Sequence, residues 1–294
     1  MKKSIFTIFL LLCSIACSEL FAQTVIQQDS TYIFEMKDGN TYIGKVNILE
    51  KGRVYELSTS IGKLSIRAED IEVVRIADKN NIRTGTYWPK NPHSSRYFFS
   101  PSGYGLRKGE GYYQNAWIFF NQVSYGFSDY FTMGVGMIPT FLFGATEFMP
   151  IWITPKFNFE YKNGKGAFGA GSILFTTLGE NGSVGILYGS NTFGTRDKQL
   201  TIGLGWGYSS GGGFSNYPTV NVSGLIRTSK KWAFVTENYF LSVEDGGLIL
   251  SAGARYMAKN IAIDLAGARP VFQDLDGFFI IPWLSISVPF GKKY

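Results

Sequence analysis

From about Gly111 to Tyr294 the chain repeats segments in which apolar side chains alternate with small or polar ones, and the turns between them alternate between Lys-rich and acidic or Gly-rich. Alternation with period two is the pattern of a β-strand with two different faces. Where one face meets hydrocarbon, no water is present to satisfy an open sheet edge, so such strands must close on themselves. Short turns on one side and longer loops on the other are the habit of bacterial outer-membrane barrels. The expected fold is therefore all-β: an antiparallel transmembrane up-and-down barrel of about 12 strands, preceded by a small soluble β-domain.

Individual segments show which face is which. In 151–161, Ile153, Pro155, Phe157, Phe159 and Tyr161 alternate with Thr154, Lys156, Asn158 and Glu160, so the charged set is expected to face the lumen. In 199–208, Leu200, Ile202, Leu204, Trp206 and Tyr208 alternate with Thr201 and three glycines, and in 278–290 Leu284, Ile286 and Val288 alternate with Ser285 and Ser287. A soluble lipocalin-type barrel would reverse this, with charge on its outer face. Charged residues are only 17% of the chain and gather in the turns. Tyr125, Tyr161, Tyr208, Trp232 and Tyr256 fall near strand ends, where an aromatic girdle belongs.

Threading from residue 116 to residue 290 finds eleven strands, and closure of a bacterial barrel calls for an even number. Residues 96–106, with Tyr97, Phe98, Phe99 and Tyr104, are expected to supply the twelfth, followed by a long outer loop over 107–115. Charge sorts with this threading. The turns and tail assigned to the periplasm carry Lys162, Lys165, Arg196, Lys198, Lys230, Lys231, Lys259, Lys292 and Lys293 against Asp129 and Asp197. The outer loops carry Glu110, Glu147, Glu180, Glu244, Asp245, Asp274 and Asp276 against Arg107, Lys108 and Arg269.

The first 22 residues read as a secretory signal: Lys2 and Lys3, an apolar run from Ile5 to Leu12, then small residues up to Ala22. A cut before Cys17, with lipidation of that cysteine, is the competing reading. Removing Lys2, Lys3 and Glu19 takes 28 basic and 22 acidic side chains to 26 and 21, a net charge of +5. Both cysteines leave with a cut after Ala22, which excludes thiol chemistry, and no contiguous basic patch points to nucleic acid. Residues 23–77 have the composition of a small soluble β-domain, with strands expected at 31–35, 41–49, 54–58, 63–66 and 71–76. Residues 78–94, with Trp88-Pro89 and Asn91-Pro92, read as a linker, and 95–294 as the barrel. A domain of about 50 residues buries only a marginal core, so a periplasmic protein partner is expected beside outer-membrane lipid.

The run Arg96-Tyr97-Phe98-Phe99-Ser100-Pro101-Ser102-Gly103-Tyr104-Gly105-Leu106, continuing to Asn115, and then Tyr125-Gly126, resembles outer-membrane β-barrel proteins of Bacteroidota. Asp38-Gly39-Asn40-Thr41-Tyr42-Ile43-Gly44 is similar to the small SH3-like module that often precedes such barrels. The resemblance implies a location and a fold, and it brings no activity with it.

Enzymatic function is not expected. Acyl hydrolysis in a barrel needs a nucleophile with a base in reach, and the single histidine, His93, lies in a Pro-flanked segment that reads as surface. Gly203-Leu204-Gly205-Trp206-Gly207 has no following helix to receive a phosphate. Asp274-Leu275-Asp276-Gly277 lacks the distal acid of a calcium loop, so neither cofactor nor metal is expected. The functional candidates are ionisable or amide residues whose spacing turns them inward: Lys156, Asn158, Glu160, Arg227, Glu237, Arg255 and Asp264, with Arg255 as the cation shared by Glu237 and Asp264. In an open lumen, Arg at position 158 would be tolerated. The leading expectation is a passive channel or transport pore for an unspecified solute. The alternative is a non-conducting structural or assembly protein whose N-terminal domain binds a periplasmic partner, and a blocked lumen would favour it.

Overall fold

The computed structural model describes residues 30–291 except 51–52, 61, 78–81, 84–85, 145–147, 179–181, 242–245, 259–260 and 273–276. The expected signal, with Cys17, lies outside the described residues. The chain divides into two compact units, 1–88 and 89–294, so the boundary falls inside the segment expected to be a linker.

The first unit is a five-stranded antiparallel sheet in the order β4-β3-β2-β1-β5, formed by β1 (Thr31–Met36), β2 (Thr41–Glu50), β3 (Val54–Thr59), β4 (Gly62–Arg67) and β5 (Ile71–Ile76). Period two sends Tyr32, Phe34 and Met36 to one face, where they bury against Val46, Leu57 and Ile66. Ile33 on the other face packs with Ala77 and Tyr87. Tyr87 belongs to a two-stranded ladder of β6 (Ile82–Arg83) and β7 (Thr86–Tyr87), so part of the expected linker is structured. The β1–β2 turn uses Gly39 at φ +87°, and Asp38 accepts the Asn40 amide N–H at 2.9 Å.

The second unit is the barrel. Its strands are β8 (Glu110–Ala116), β9 (Phe120–Gly126), β10 (Phe131–Met137), β11 (Met149–Ile153), β12 (Lys156–Glu160), β13 (Gly166–Leu178), β14 (Ser183–Thr195), β15 (Lys198–Ser209), β16 (Gly213–Phe214), β17 (Thr219–Arg227), β18 (Trp232–Leu241), β19 (Gly247–Ala258), β20 (Ile261–Phe272) and β21 (Ile281–Gly291). β11 and β12 share one place between β10 and β13, interrupted at Thr154-Pro155, and β16 only extends β15. Twelve antiparallel strands thus form a closed ring. β21 pairs β8 with Ser287 opposite Gln114, which seals it.

The outer surface is apolar. Leu200, Ile202, Leu204 and Trp206 are 37–48% exposed, whereas Gln199 and Thr201, on either side of Leu200, are buried. Phe157, Phe193, Ile226, Phe234, Leu265 and Leu284 repeat that exposure around the ring. A barrel that exposes aromatics and aliphatics on every long strand and buries its polar residues is built for lipid. Near the end with the short turns, Trp232 packs edge-on to Tyr256 at 5.0 Å and Tyr125 stacks on Phe290 at 6.5 Å. The protein is an outer-membrane β-barrel.

Two expectations are corrected. Residues 96–106 are not a strand, and 107–115 are not an outer loop. The twelfth strand is β8, whose Tyr112, Gln114 and Ala116 turn inward. The first correction follows from residues 96–106 turning back on themselves at Tyr97–Ser100, with Arg96 bridging Pro101, so that they do not run on as a single strand. The second moves Arg107, Lys108 and Glu110 to the end where β8 starts opposite Gly291, the end of the short turns.

Candidate functional site: a hairpin inside the barrel

The segment expected to be a wall strand lies inside the wall. Tyr97, Phe98, Ser100, Ser102 and Tyr104 are all 5% exposed or less. The segment doubles back on itself. Tyr97 N donates to Ser100 O at 2.9 Å, Ser102 N donates to Ser95 O at 3.0 Å, and Arg96 bridges Pro101. The reversal falls at Tyr97-Phe98-Phe99-Ser100, and Pro101-Ser102-Gly103 follow on the returning arm. The hairpin leaves a row of backbone groups unpaired, and buried backbone groups must find partners. The inner wall provides them.

Glu237 of β18 faces the hairpin tip. Its carboxylate accepts the N–H groups of Phe98 at 2.8 Å, Phe99 at 3.0 Å and Ser100 at 3.1 Å, together with the Tyr239 hydroxyl at 2.7 Å. Consecutive N–H groups converging on one carboxylate form a concave anion cradle. Arg255 of β19 serves the carbonyls. Its guanidinium donates to His93 O at 2.5 Å, Arg96 O at 3.2 Å and Tyr97 O at 2.8 Å, while Asp264 of β20 takes its Nε at 2.6 Å and its Nη2 at 3.0 Å. Arg255 and Asp264 stand directly opposite in the ladder, which aligns the bidentate pair. Ser285 of β21 adds a third donor to Asp264 at 3.2 Å. Lys156 of β12 uses its ammonium on Ser95 O at 3.3 Å, Ser102 O at 2.6 Å and Tyr104 O.

Hydroxyls complete the seat. Tyr97 Oη and Thr201 Oγ1 are 2.7 Å apart, Gly103 N donates to Thr192 Oγ1 at 2.6 Å, and Leu106 N donates to Thr132 Oγ1 at 3.0 Å. Gly103 and Gly105 let the hairpin approach the wall. A Cβ on Gly103 would stand 2.1 Å from Ala167 O, and one on Gly105 would stand 1.8 Å from Asn158 Oδ1. Tyr97 and Phe98 also share a buried apolar cluster with Leu225, Val235 and Met257.

The remaining candidates sit at the rim of this seat. Asn158 is buried, with Nδ2 donating to Asp129 O at 2.9 Å. Glu160 is exposed and pairs with Arg196, which also donates to Ser94 Oγ and Gly105 O at 3.0 Å. Arg227 donates to Pro89 O at 2.7 Å and Lys230 O at 2.6 Å, and it lies 3.3 Å from Asp197. Three expectations change here. Arg255 is not shared between two acids, because Glu237 is occupied by the hairpin. His93 is not a surface residue: it is 1% exposed, with its ring edge-on to Tyr112 at 4.7 Å. Position 158 is not open lumen, since the hairpin packs against it.

Arg255, Thr201 and Thr132 lie near the short-turn ends of their strands, while the tip reaches Glu237 in the middle of β18, so the hairpin enters from the short-turn end and extends to about mid-barrel. What it leaves beside Lys156 is a cavity of about 30 Å³ lined by Ser95, Arg96, Gly105, Tyr112, Thr154 and Tyr188. That is room for a few water molecules. Sequence reasoning missed the hairpin itself, although the unbroken aromatic run Tyr97-Phe98-Phe99, which lacks the alternation of the other strands, was a signal against a strand.

No protein-family model matches the chain, and neither does any curated protein sequence. Among solved structures, similarity is found to OmpT, an outer membrane protein of Vibrio cholerae. The form lacking loop L8 is 13% identical with a TM-score of 0.36, covering 88% of this chain and 96% of that one. The form folded in vitro is 12% identical with a TM-score of 0.33, covering 89% of this chain and 94% of that one. The membrane assignment rests on the barrel's own outer surface and not on this likeness.

Proposed function

We propose that the protein is a non-conducting outer-membrane anchor: a barrel held shut by its own 93–106 hairpin, carrying the N-terminal β-unit on the periplasmic side, where that unit binds a protein partner. The observation that carries this reading is that the buried ionisable groups of the lumen are spent on the hairpin's backbone. Glu237 holds three N–H groups, and Arg255 and Lys156 hold three carbonyls each. Hydrogen bonds to charged groups contribute on the order of 1.5–3 kcal/mol each, so the hairpin is fastened and not merely resting. A passive pore needs its charged residues to face water and solute, and these do not. The hairpin follows the N-terminal unit directly in the chain and enters at the short-turn end, which supports the periplasmic side for that unit. The Bacteroidota origin and the SH3-like character of the unit belong to this proposal, as does the absence of catalysis.

The test is conductance of the refolded protein in planar bilayers. Wild type is expected to be silent at moderate voltage, and a Glu237→Ala/Lys156→Ala variant, which removes the charged partners of the hairpin tip and of Ser95, Ser102 and Tyr104, to show openings. Steady conductance from wild type returns the assignment to a passive channel.

A further inference from the structure

The barrel wall is much lower on one side than on the other. β8, β9 and β10 have seven residues each, whereas β13 and β14 have thirteen. Seven residues at about 3.3 Å each, tilted by about 40°, rise about 18 Å along the membrane normal, and the apolar band of such barrels is about 25 Å tall. β8 begins level with Gly291 at the short-turn end, so its far end, the β8–β9 turn, stops short of the opposite surface.

The composition of that turn is unusual. Trp117, Ile118 and Phe119 form it, exposed by 37%, 72% and 44%. Trp117 and Ile118 adopt φ of +48° and +69°, a region that disfavours side chains and β-branched ones most. A hairpin in water would place Asn or Gly there. Bulky apolar residues held in a strained turn point to a purpose for the side chains.

The backbone of the turn is prepared for a medium without water. Asn115 Nδ2 donates to Ile118 O at 2.8 Å, Asn121 Nδ2 donates to Phe119 O at 2.8 Å, and Trp117 N donates to Leu284 O at 3.0 Å. Above Ala116, β21 continues to Ile281 with no residue of β8 opposite. The residue there that shares the edge with Leu284 is Pro282, which has no N–H, and its carbonyl accepts the Trp117 indole N–H at 2.7 Å. A free edge of sheet in hydrocarbon must have its polar groups satisfied in this way. Behind the tip an aromatic row runs along the wall. Trp117 lies 4.9 Å from Trp283 and 5.9 Å from Phe120, Phe120 lies 6.0 Å from Trp152, and the Trp283 indole N–H is buried with no acceptor among the described residues. The notch is continuous with the lipid-facing belt through Val123, Val135, Leu284 and Ile286, all exposed.

We propose that the notch above the β8–β9 turn is an intramembrane lipid-docking site: the Trp117-Ile118-Phe119 tip lies within the hydrocarbon, and a lipid acyl chain occupies the space where the wall is missing. The occupant is an acyl chain and not a headgroup, because the tip offers apolar side chains and no cation. This assignment is independent of whether the barrel conducts.

Nitroxide depth measurement tests it. Cysteine replaces Ile118 in one variant and Phe119 in another, with Ile202→Cys as a lipid-facing reference and Gly212→Cys as an aqueous one, all in a background with Cys13 and Cys17 changed to Ser. The labelled proteins are reconstituted in phosphatidylcholine vesicles, and collision with oxygen is compared with collision with a water-soluble nickel chelate. Labels at 118 and 119 are expected to match the oxygen-to-nickel ratio at 202. A ratio like that at 212 would place the tip in water, and a ratio midway between the two would place it among headgroups. Either result overturns the proposal. If one variant fails to fold, the other still reads the depth.

Discussion

At the scale of single residues, the buried charges decide what the lumen tolerates. Arg255→Met leaves Asp264 with one hydroxyl donor and strips three hairpin carbonyls of their partner. Breaking a buried pair from one side costs about 3–5 kcal/mol, so the thermal unfolding midpoint should fall clearly. The Arg255→Met/Asp264→Asn double variant should recover part of the loss, because the uncompensated charge is gone. Additive losses in a calorimetric double-mutant cycle would mean that the pair is not coupled. The two faces of β12 give a second residue-level prediction. Phe157→Arg puts a cation into the lipid-facing belt, at a cost of about 2–4 kcal/mol near the bilayer midplane. Asn158→Arg, tolerable in an open lumen, should also hinder folding, because Asn158 is 1% exposed beneath Gly105. Heat-modified gel mobility after refolding reads both. Efficient folding of Asn158→Arg would show that the hairpin does not pack against that position. In the small unit, hydrogen bonds from Lys63 and Asn47 hold the Glu56 carboxyl below its usual range. Its folded pKa is depressed, so its contribution is present above the unfolded value and is lost as pH falls through the folded one. Lys63→Met should raise the Glu56 midpoint in an NMR titration, and an unmoved midpoint would discount the 3.0 Å pair.

At the scale of elements, the strength of a signal followed the number of residues that repeat it. β15 was legible because five bulky residues alternate with glycine and threonine along its whole length, and a one-residue slip would bury the wrong set. The five strands of the first unit were legible for the same reason, with ends that shift by a residue or so. Residues 96–106 were not, because a strand count demanded one more element and aromatic content answered it. Their partners Glu237, Arg255 and Lys156 lie 52 or more positions away in sequence, and nothing local announces such contacts. The inward direction of those three side chains could be read from alternation, but what they hold could not. Gly103 tests the hairpin as an element. Gly103→Ala forces a Cβ to within 2.1 Å of Ala167 O, which is backbone and cannot swing away. Overpacking of that kind costs on the order of 1–3 kcal/mol, and the unfolding midpoint should drop. Gly211→Ala, where a Cβ meets nothing within 4 Å, is the control. Equal midpoints for the two variants would detach the hairpin from β13.

At the scale of the whole molecule, the corrected threading sharpens the sidedness argument. With Arg107 and Lys108 moved to the short-turn end, the positions in the opposite connections carry Glu147, Glu180, Glu244, Asp245, Asp274 and Asp276, and at that end only Arg269 opposes them. The short-turn end gathers Lys162, Lys165, Arg196, Lys198, Lys230 and Lys231 against Asp129, Asp197 and Glu110. Longer connections in outer-membrane barrels face outward and short ones face the periplasm, so length and charge select the same orientation. The hairpin enters the lumen at the short-turn end, and the proposed periplasmic side for the chain before Pro89 rests on this orientation. Two turns allow a direct check. Gly212 lies in the β15–β16 turn with only the Ser209 side chain nearby, and Gly164 lies in the β12–β13 turn at φ +65° with nothing within 4 Å, so both accept an inserted peptide tag without disturbing a ladder. On intact cells a tag at Gly212 should bind antibody and one at Gly164 should not, until the outer membrane is permeabilised. Labelling at Gly164 with none at Gly212 would turn the barrel over, placing the basic turns and the chain before Pro89 outside the cell, where no periplasmic partner could reach the N-terminal unit.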